Sequence, residues 1–215
     1  MEDIRPTFSL EMSLELVDAA LGVFDKLGVR LYLCFGGLIG ALRSGQVIPW
    51  DGDLDFVFDA THLGGAEGIN NIVEQLKEVV VGQVLPRIIN KNPHGFVWDI
   101  QLFHSVANPY EGPWNHNNVT YGQVCLFPLY RDHRGWWHVK QYKDAKYNGW
   151  MFPHATFDPP ADRTATLNGR EFFIPTLAED LLVKLYGDWK TPSKSKSTCK
   201  KEFYGKLPPT MELKQ

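Results

Sequence analysis

The sequence predicts an α+β fold, and three observations carry that expectation. Apolar residues recur in steps of three and four in two long stretches, the mark of amphipathic helices. Apolar or alternating runs of strand length stand between and after them. Asn168-Gly169 splits two short alternating segments, the signature of a tight β-hairpin.

Thr7 to Leu27 places Leu10, Leu14, Val17, Leu21 and Phe24 on one helical face, and Gly28 is a good stop. Arg30 to Phe35 reads as a buried strand. Gly36-Gly37 then reads as a turn into a short helix, Leu38 to Arg43. A glycine turn entering a helix offers free N–H groups and a positive dipole end, which suit a phosphate. Arg43 is a candidate partner for the same phosphate or for a nearby acid.

A loop follows, delivering Asp51, Asp53 and Asp55 at every second position. The last two open a strand with Leu54, Phe56 and Phe58 on one face and the acids on the other. Neighbouring carboxylates on a buried strand repel each other and are costly to desolvate. A divalent cation removes both difficulties, and oxygen donors of this kind suit Mg²⁺ or Mn²⁺. An EF-hand calcium loop is excluded, because Phe56 stands where its tight turn needs glycine.

Thr61 to Gly65 is a loop. Ala66 to Val81 is a second amphipathic helix, with Ile69, Ile72, Val73, Leu76, Val79 and Val80 on its stripe. Val84 to Ile89 is a strand, Asn90 to Gly95 a turn, and Phe96 to Phe103 an alternating strand that carries Asp99. A buried acid is usually paired or metal-bound, so Asp99 is a candidate third ligand.

Residues 104–163 read as an irregular segment with short strands at Gln123 to Leu129 and Gly135 to Gln141, a place for substrate selectivity. Its histidines, His104, His116, His133, His138 and His154, match no zinc spacing even with Cys125 nearby. The hairpin, Thr164 to Ile174, follows. A helix over Leu177 to Tyr186 is expected next, with Thr176 as N-cap and Glu179 as its capping-box partner. Residues 193–215 form a Lys-, Ser- and Pro-rich tail, expected to be solvated and partly disordered.

At 215 residues the chain fits one domain, residues 1–192, followed by that tail. Its net charge of −3 excludes nucleic-acid binding through overall charge. Cys34, Cys125 and Cys199 cannot all pair and none lies in a C-x-x-C motif, so a reducing, cytoplasmic setting without disulfides is expected. No signal peptide is visible, and no apolar run approaches the ~18 residues of a membrane span.

The stretch Tyr32 to Val57 resembles the LicD family of the nucleotidyltransferase superfamily, which includes bacterial phosphocholine transferases, fukutin and fukutin-related protein. The matching pieces are Gly36-Gly37, Leu38 to Arg43, and Ile48-Pro49-Trp50-Asp51 leading to Asp53-Leu54-Asp55. Gly52 replaces the family's middle acid. Asp99 matches its later lone acid, and Tyr186-Gly187-Asp188-Trp189 with Thr191-Pro192 is similar to its closing motif.

The resemblance implies a mixed, nucleotidyltransferase-like sheet flanked by helices. It implies transfer of a phospho-substituted alcohol, such as phosphocholine or phosphoribitol, from a CDP-linked donor to a sugar hydroxyl. Asp53, Asp55 and Asp99 would then be the catalytic and metal residues, with Asp99 also taking the hydroxyl proton. Gly36, Gly37 and Arg43 would steady the phosphates, and Asp51 would support the ligands. Other readings use the same acids: a nucleotidyltransferase releasing pyrophosphate, a glycosyltransferase holding a nucleotide-sugar, or an inactive binding module.

Overall fold

A computed structural model describes residues 7–88, 97–104, 120–133, 135–141, 147–158, 162–192 and 204–206. The order is β1 (Thr7–Phe8), α1 (Leu10–Lys26), β2 (Leu31–Cys34), α2 (Phe35–Arg43), β3 (Leu54–Asp59), α3 (Ala66–Val79), β4 (Gln83–Ile88) and β5 (Val97–Phe103). Then come β6 (Thr120–Tyr121), β7 (Gln123–Asp132), β8 (Gly135–Gln141), β9 (Tyr147–Phe152), β10 (Thr164–Leu167), β11 (Arg170–Phe173), α4 (Ala178–Tyr186) and β12 (Tyr204–Lys206). The expected turn at Asn90 to Gly95 lies outside the described residues.

The fold is α+β, as expected, and its main sheet is mixed. Strands run β12-β9-β8-β7-β3-β2, and β5, carrying β4, also joins β7. The pair β3 and β7 is parallel, while β2 and β3 are antiparallel. On its other edge β7 meets two partners in turn, β5 along Gln123 to Leu126 and β8 along Leu129 to Asp132. Phe127 and Pro128 sit at the switch, where a residue without an N–H is tolerated.

The expected strands at Gln123 to Leu129 and Gly135 to Gln141 are β7, three residues longer than expected, and β8; β9 is a further strand in this segment, and β7 is the strand on which the sheet turns. Of the tail, Tyr204–Lys206 pairs antiparallel with β9 and forms an edge strand. An edge backbone leaves N–H and C=O groups open to a partner, and this short segment fills them.

One face of β3 is apolar. Phe58 packs edge-on against Phe24 of α1 at 4.8 Å, and Phe56 against Phe172 of β11 at 5.7 Å. All four rings are buried. Burying each stabilises by roughly 2–3 kcal/mol, so this layer fixes which side of the strand is left for the acids.

Helix α1 begins later than its apolar pattern suggested. Ser9 is its N-cap, accepting from Met12 N at 3.3 Å, and Thr7–Phe8 pairs with β6 instead. Its fully buried stripe is Leu16, Val17, Ala20, Val23 and Phe24, with Leu10, Leu14 and Leu21 at the margin. The α1 backbone also lies against Gly122, where a Cβ would stand 2.6 Å from Met12 C and Ser13 N. Ser13 Oγ meanwhile accepts from Gln123 N at 3.1 Å. Glycine's missing side chain thus lets the helix clamp the start of β7.

The hairpin is as expected. Asn168 and Gly169 adopt φ of 49° and 80°, the type I′ requirement. Asn168 also ties down the loop that leads to the acids, accepting from Val47 N at 2.7 Å and donating to Gln46 Oε1 at 2.8 Å.

The capping box at α4 does not form. Leu177 holds the N-cap position, and the Thr176 hydroxyl is buried without a hydrogen-bond partner among the described residues. Glu179 instead accepts two bonds from Arg163, at 2.7 and 2.5 Å. A bidentate guanidinium outcompetes a single backbone N–H for the carboxylate.

Candidate functional site

The register of three strand pairs builds a row across the sheet: Cys34, Asp55, Cys125 and Gln101 on β2, β3, β7 and β5. Directly paired residues project to one face, so these four share the side away from Phe56 and Phe58. Asp53 and Gln123, each two positions away, project the same way. Carboxylate oxygens of Asp53 and Asp55 and the sulfur of Cys125 all lie within 4.8 Å of one another. Cys125 Sγ donates to Asp53 Oδ2 at 3.8 Å. The amides of Gln101 and Gln123 in turn donate to the same sulfur, at 3.8 and 3.4 Å.

Burial pushes the Asp55 carboxyl well up, and the charges of Asp53, Asp51 and Asp99 push it further. Burial also raises Asp53, against a lowering bond from Cys125. Asp51 rises to about 6, through burial first and then the charge of Asp53. The Cys125 thiol is raised by burial and by Asp55, Asp53 and Asp99. Among the described residues no ion pair reaches Asp51, Asp53 or Asp55. Such a set of mutually repelling acids with a sulfur donor fits a divalent cation, which relieves both burial and repulsion.

The structure brings Asp53 and Asp55 together as the sequence suggested, and adds Cys125. Asp99 is fully buried on β5 and acts on Asp55 and Cys125 through its charge. It lies outside the compact group of three.

Gly36-Gly37 does not form a turn ahead of the helix. Helix α2 starts at Phe35, whose φ of 49° makes the bend, and both glycines fall in its first turn. Their use is space. A Cβ on Gly36 would overlap the Asp51 carboxylate, and one on Gly37 would stand 2.7 Å from Leu33 Cδ1. The acid therefore rests against the first turn of the helix, where burial and Asp53 outweigh the favourable helix dipole. Arg43 occupies the last turn of α2, about 10 Å along the axis from Gly36. At Gly52 a Cβ would stand 3.0 Å from the Tyr121 hydroxyl, so the glycine at the family's middle-acid position leaves room for that phenol.

Cys125, Gln101, Gln123 and Tyr121 escaped the sequence reading. The alternation of Gln123 and Cys125 with Val124 and Leu126 was visible. The parallel pairing that sets them beside Asp55 spans some 70 residues of chain and leaves no local mark. The histidines stay apart from the acids: His104 Nε2 meets Glu15 Oε2 at 2.6 Å, and His154 Nδ1 lies 3.4 Å from Asp158 Oδ2. His116 and the side chain of His138 lie outside the described residues.

A pH dependence follows from Asp51. Its folded-state pKa is raised from 3.8 to about 6, so folding favours the neutral acid. The contribution is fully present below the ordinary value and is lost as pH rises through about 6. At about 1.4 kcal/mol per pKa unit, this amounts to about 3 kcal/mol. Chemical denaturation of metal-free protein is expected to show wild type losing that much stability between pH 3 and pH 7 relative to Asp51→Asn. A saturating divalent cation is expected to restore it.

A separate cavity of about 370 Å³ opens near the far end of β3, among Arg30, Tyr32, Asp59, His62, Arg131 and Asp158. None of the clustered acids lines it. No described helix is long and apolar enough to cross a membrane.

Comparison with known proteins adds three findings. The model of the LicD/FKTN/FKRP nucleotidyltransferase domain matches residues 28–176. The mouse and human proteins named ribitol 5-phosphate transferase FKRP are each 33% identical over 125 residues, covering 58% of this chain. The chain spans only 22% of the length of those relatives. A crystal structure of ANT(2")-Ia in complex with adenylyl-2"-tobramycin is similar at 16% identity and TM-score 0.39, over 78% of this chain and 70% of that one.

Proposed function

This chain belongs to the LicD family, and we propose that it transfers a phospho-substituted alcohol from a CDP-linked donor to a sugar hydroxyl of a glycan, using a divalent cation. The observation that carries this reading is the meeting of Asp53, Asp55 and Cys125 donor atoms within 4.8 Å. The relatives named as ribitol 5-phosphate transferases support the choice of a phosphoalcohol of the phosphoribitol kind.

Asp53 and Asp55 would hold the cation, for which their oxygens alone suit Mg²⁺ or Mn²⁺, and the cation would supply neutralisation of charge on the diphosphate. Phosphoryl transfer through a loose transition state needs positioning and charge neutralisation more than covalent help. The β3 backbone supplies the positioning, because both carboxylates are borne by one chain segment packed on Phe24 and Phe172. Gly36 lets Asp51 stand against α2 beside Asp53, where it orients the ligand pair. Asp99 adds a fourth negative charge that acts on Asp55, which increases the preference for a bound cation. Gly37 and Arg43 remain candidate contacts for a donor long enough to run along α2.

The test is to incubate the protein with a divalent cation and a panel of CDP-alcohols and nucleoside triphosphates, then identify the released nucleotide. CMP supports the proposal. Pyrophosphate replaces it with nucleotidyl transfer through the same acids. The absence of turnover with every donor and glycan acceptor favours a binding module.

A further inference from the structure

We propose that Cys125 is a direct ligand of the cation at Asp53 and Asp55, and that its sulfur tunes the site toward Zn²⁺- or Co²⁺-like cations over Mg²⁺. This deepens the metal reading above and rests on it.

Three features separate Cys125 from an ordinary core cysteine. Its side chain is buried, at 3% exposure, yet it stands on the polar face of the sheet among acids and amides. Its sulfur lies within 4.8 Å of oxygens from both carboxylates, which is close enough for one ion to touch all three. Two amides, Gln101 and Gln123, only 6% and 5% exposed, direct their N–H groups at that sulfur. Hydrogen bonds to an ionised acceptor are roughly twice as strong as those to a neutral one, so both amides would tighten on the sulfur once a cation displaces its proton.

Ligation breaks the S–H bond and forms a sulfur–metal bond, and the proton leaves to solvent. Thiolate donors favour soft and borderline ions, whereas Mg²⁺ prefers oxygen alone and gives up water reluctantly. A two-oxygen, one-sulfur set is therefore a different selector from the all-carboxylate set the sequence suggested.

The test is a titration of the intact protein with Co²⁺, followed by calorimetry and by near-ultraviolet thiolate-to-metal charge-transfer absorption. Wild type is expected to bind Co²⁺ with that absorption. Cys125→Ser is expected to lose the absorption and to bind Co²⁺ about 10- to 100-fold more weakly, with Mg²⁺ affinity little changed. Asp53→Asn is expected to lose both ions. Co²⁺ binding without the absorption, or absorption that persists in Cys125→Ser, overturns the role of Cys125 and leaves the acid-pair reading standing. Failure of wild type to bind any divalent cation overturns both. Circular dichroism checks the fold of each variant, and Cys125→Ala carries the same comparison if the serine variant misfolds.

Discussion

Asp55→Asn is expected to lower transfer at least ~10³-fold, about 4 kcal/mol of transition-state stabilisation, while leaving the fold intact. Asp55 is the acid most crowded by other charges: burial, Asp53, Asp51 and Asp99 all disfavour its ionised form. The amide has the same shape but donates no charge to a cation. The same substitution removes a buried charge from a like-charged cluster, so the metal-free variant is expected to melt above metal-free wild type. Opposite signs in activity and stability distinguish a working ligand from a structural acid. A structural acid would lose stability on substitution and leave turnover per folded molecule unchanged. Steady-state kinetics and thermal denaturation in the presence of a chelator measure the two quantities.

Gly36→Ala is expected to have the second largest effect. A Cβ at this position overlaps the Asp51 carboxylate, which must swing away from the helix N-terminus. Misplacement of a site group by about 1 Å can reduce rate on the order of 10²-fold. Alanine is otherwise the better helix former by roughly 0.5–1 kcal/mol, so the fold is expected to hold or tighten. The neighbouring change, Gly37→Ala, acts on different ground. Its Cβ meets Leu33 Cδ1 at 2.7 Å inside the apolar layer, a case of overpacking that typically costs about 1–3 kcal/mol of stability. The two adjacent glycines are therefore expected to separate, one affecting catalysis and the other folding. Comparing kcat with the denaturation midpoint for both variants checks this.

Much of the architecture was legible because it is written in local periodicity. Helix α1 and helix α3 follow from their apolar steps, and the hairpin from Asn168-Gly169. The acid strand follows from the alternation of Asp53 and Asp55 with Leu54, Phe56 and Phe58. What was illegible depends on long-range pairing. The strand at Gln123 to Leu129 was legible, but its parallel pairing with β3, which places Cys125 beside Asp55, was not. No periodicity marks a residue as a neighbour of another 70 positions away. Local rules also failed where a stronger partner intervened. Glu179 had the spacing of a capping box, but Arg163 offers it a bidentate pair. Gly36-Gly37 looked like a turn, but Phe35 takes the positive φ and the glycines serve to admit a carboxylate and a leucine.

The central claim is that one divalent ion is shared by side chains from two parallel strands. Crystals soaked in Mn²⁺ and measured for anomalous scattering locate that ion without reference to any substrate. The account predicts a peak bounded by the carboxylates of Asp53 and Asp55 and the sulfur of Cys125, absent in Asp55→Asn. Strong Mn²⁺ peaks elsewhere, with none between β3 and β7, would contradict it.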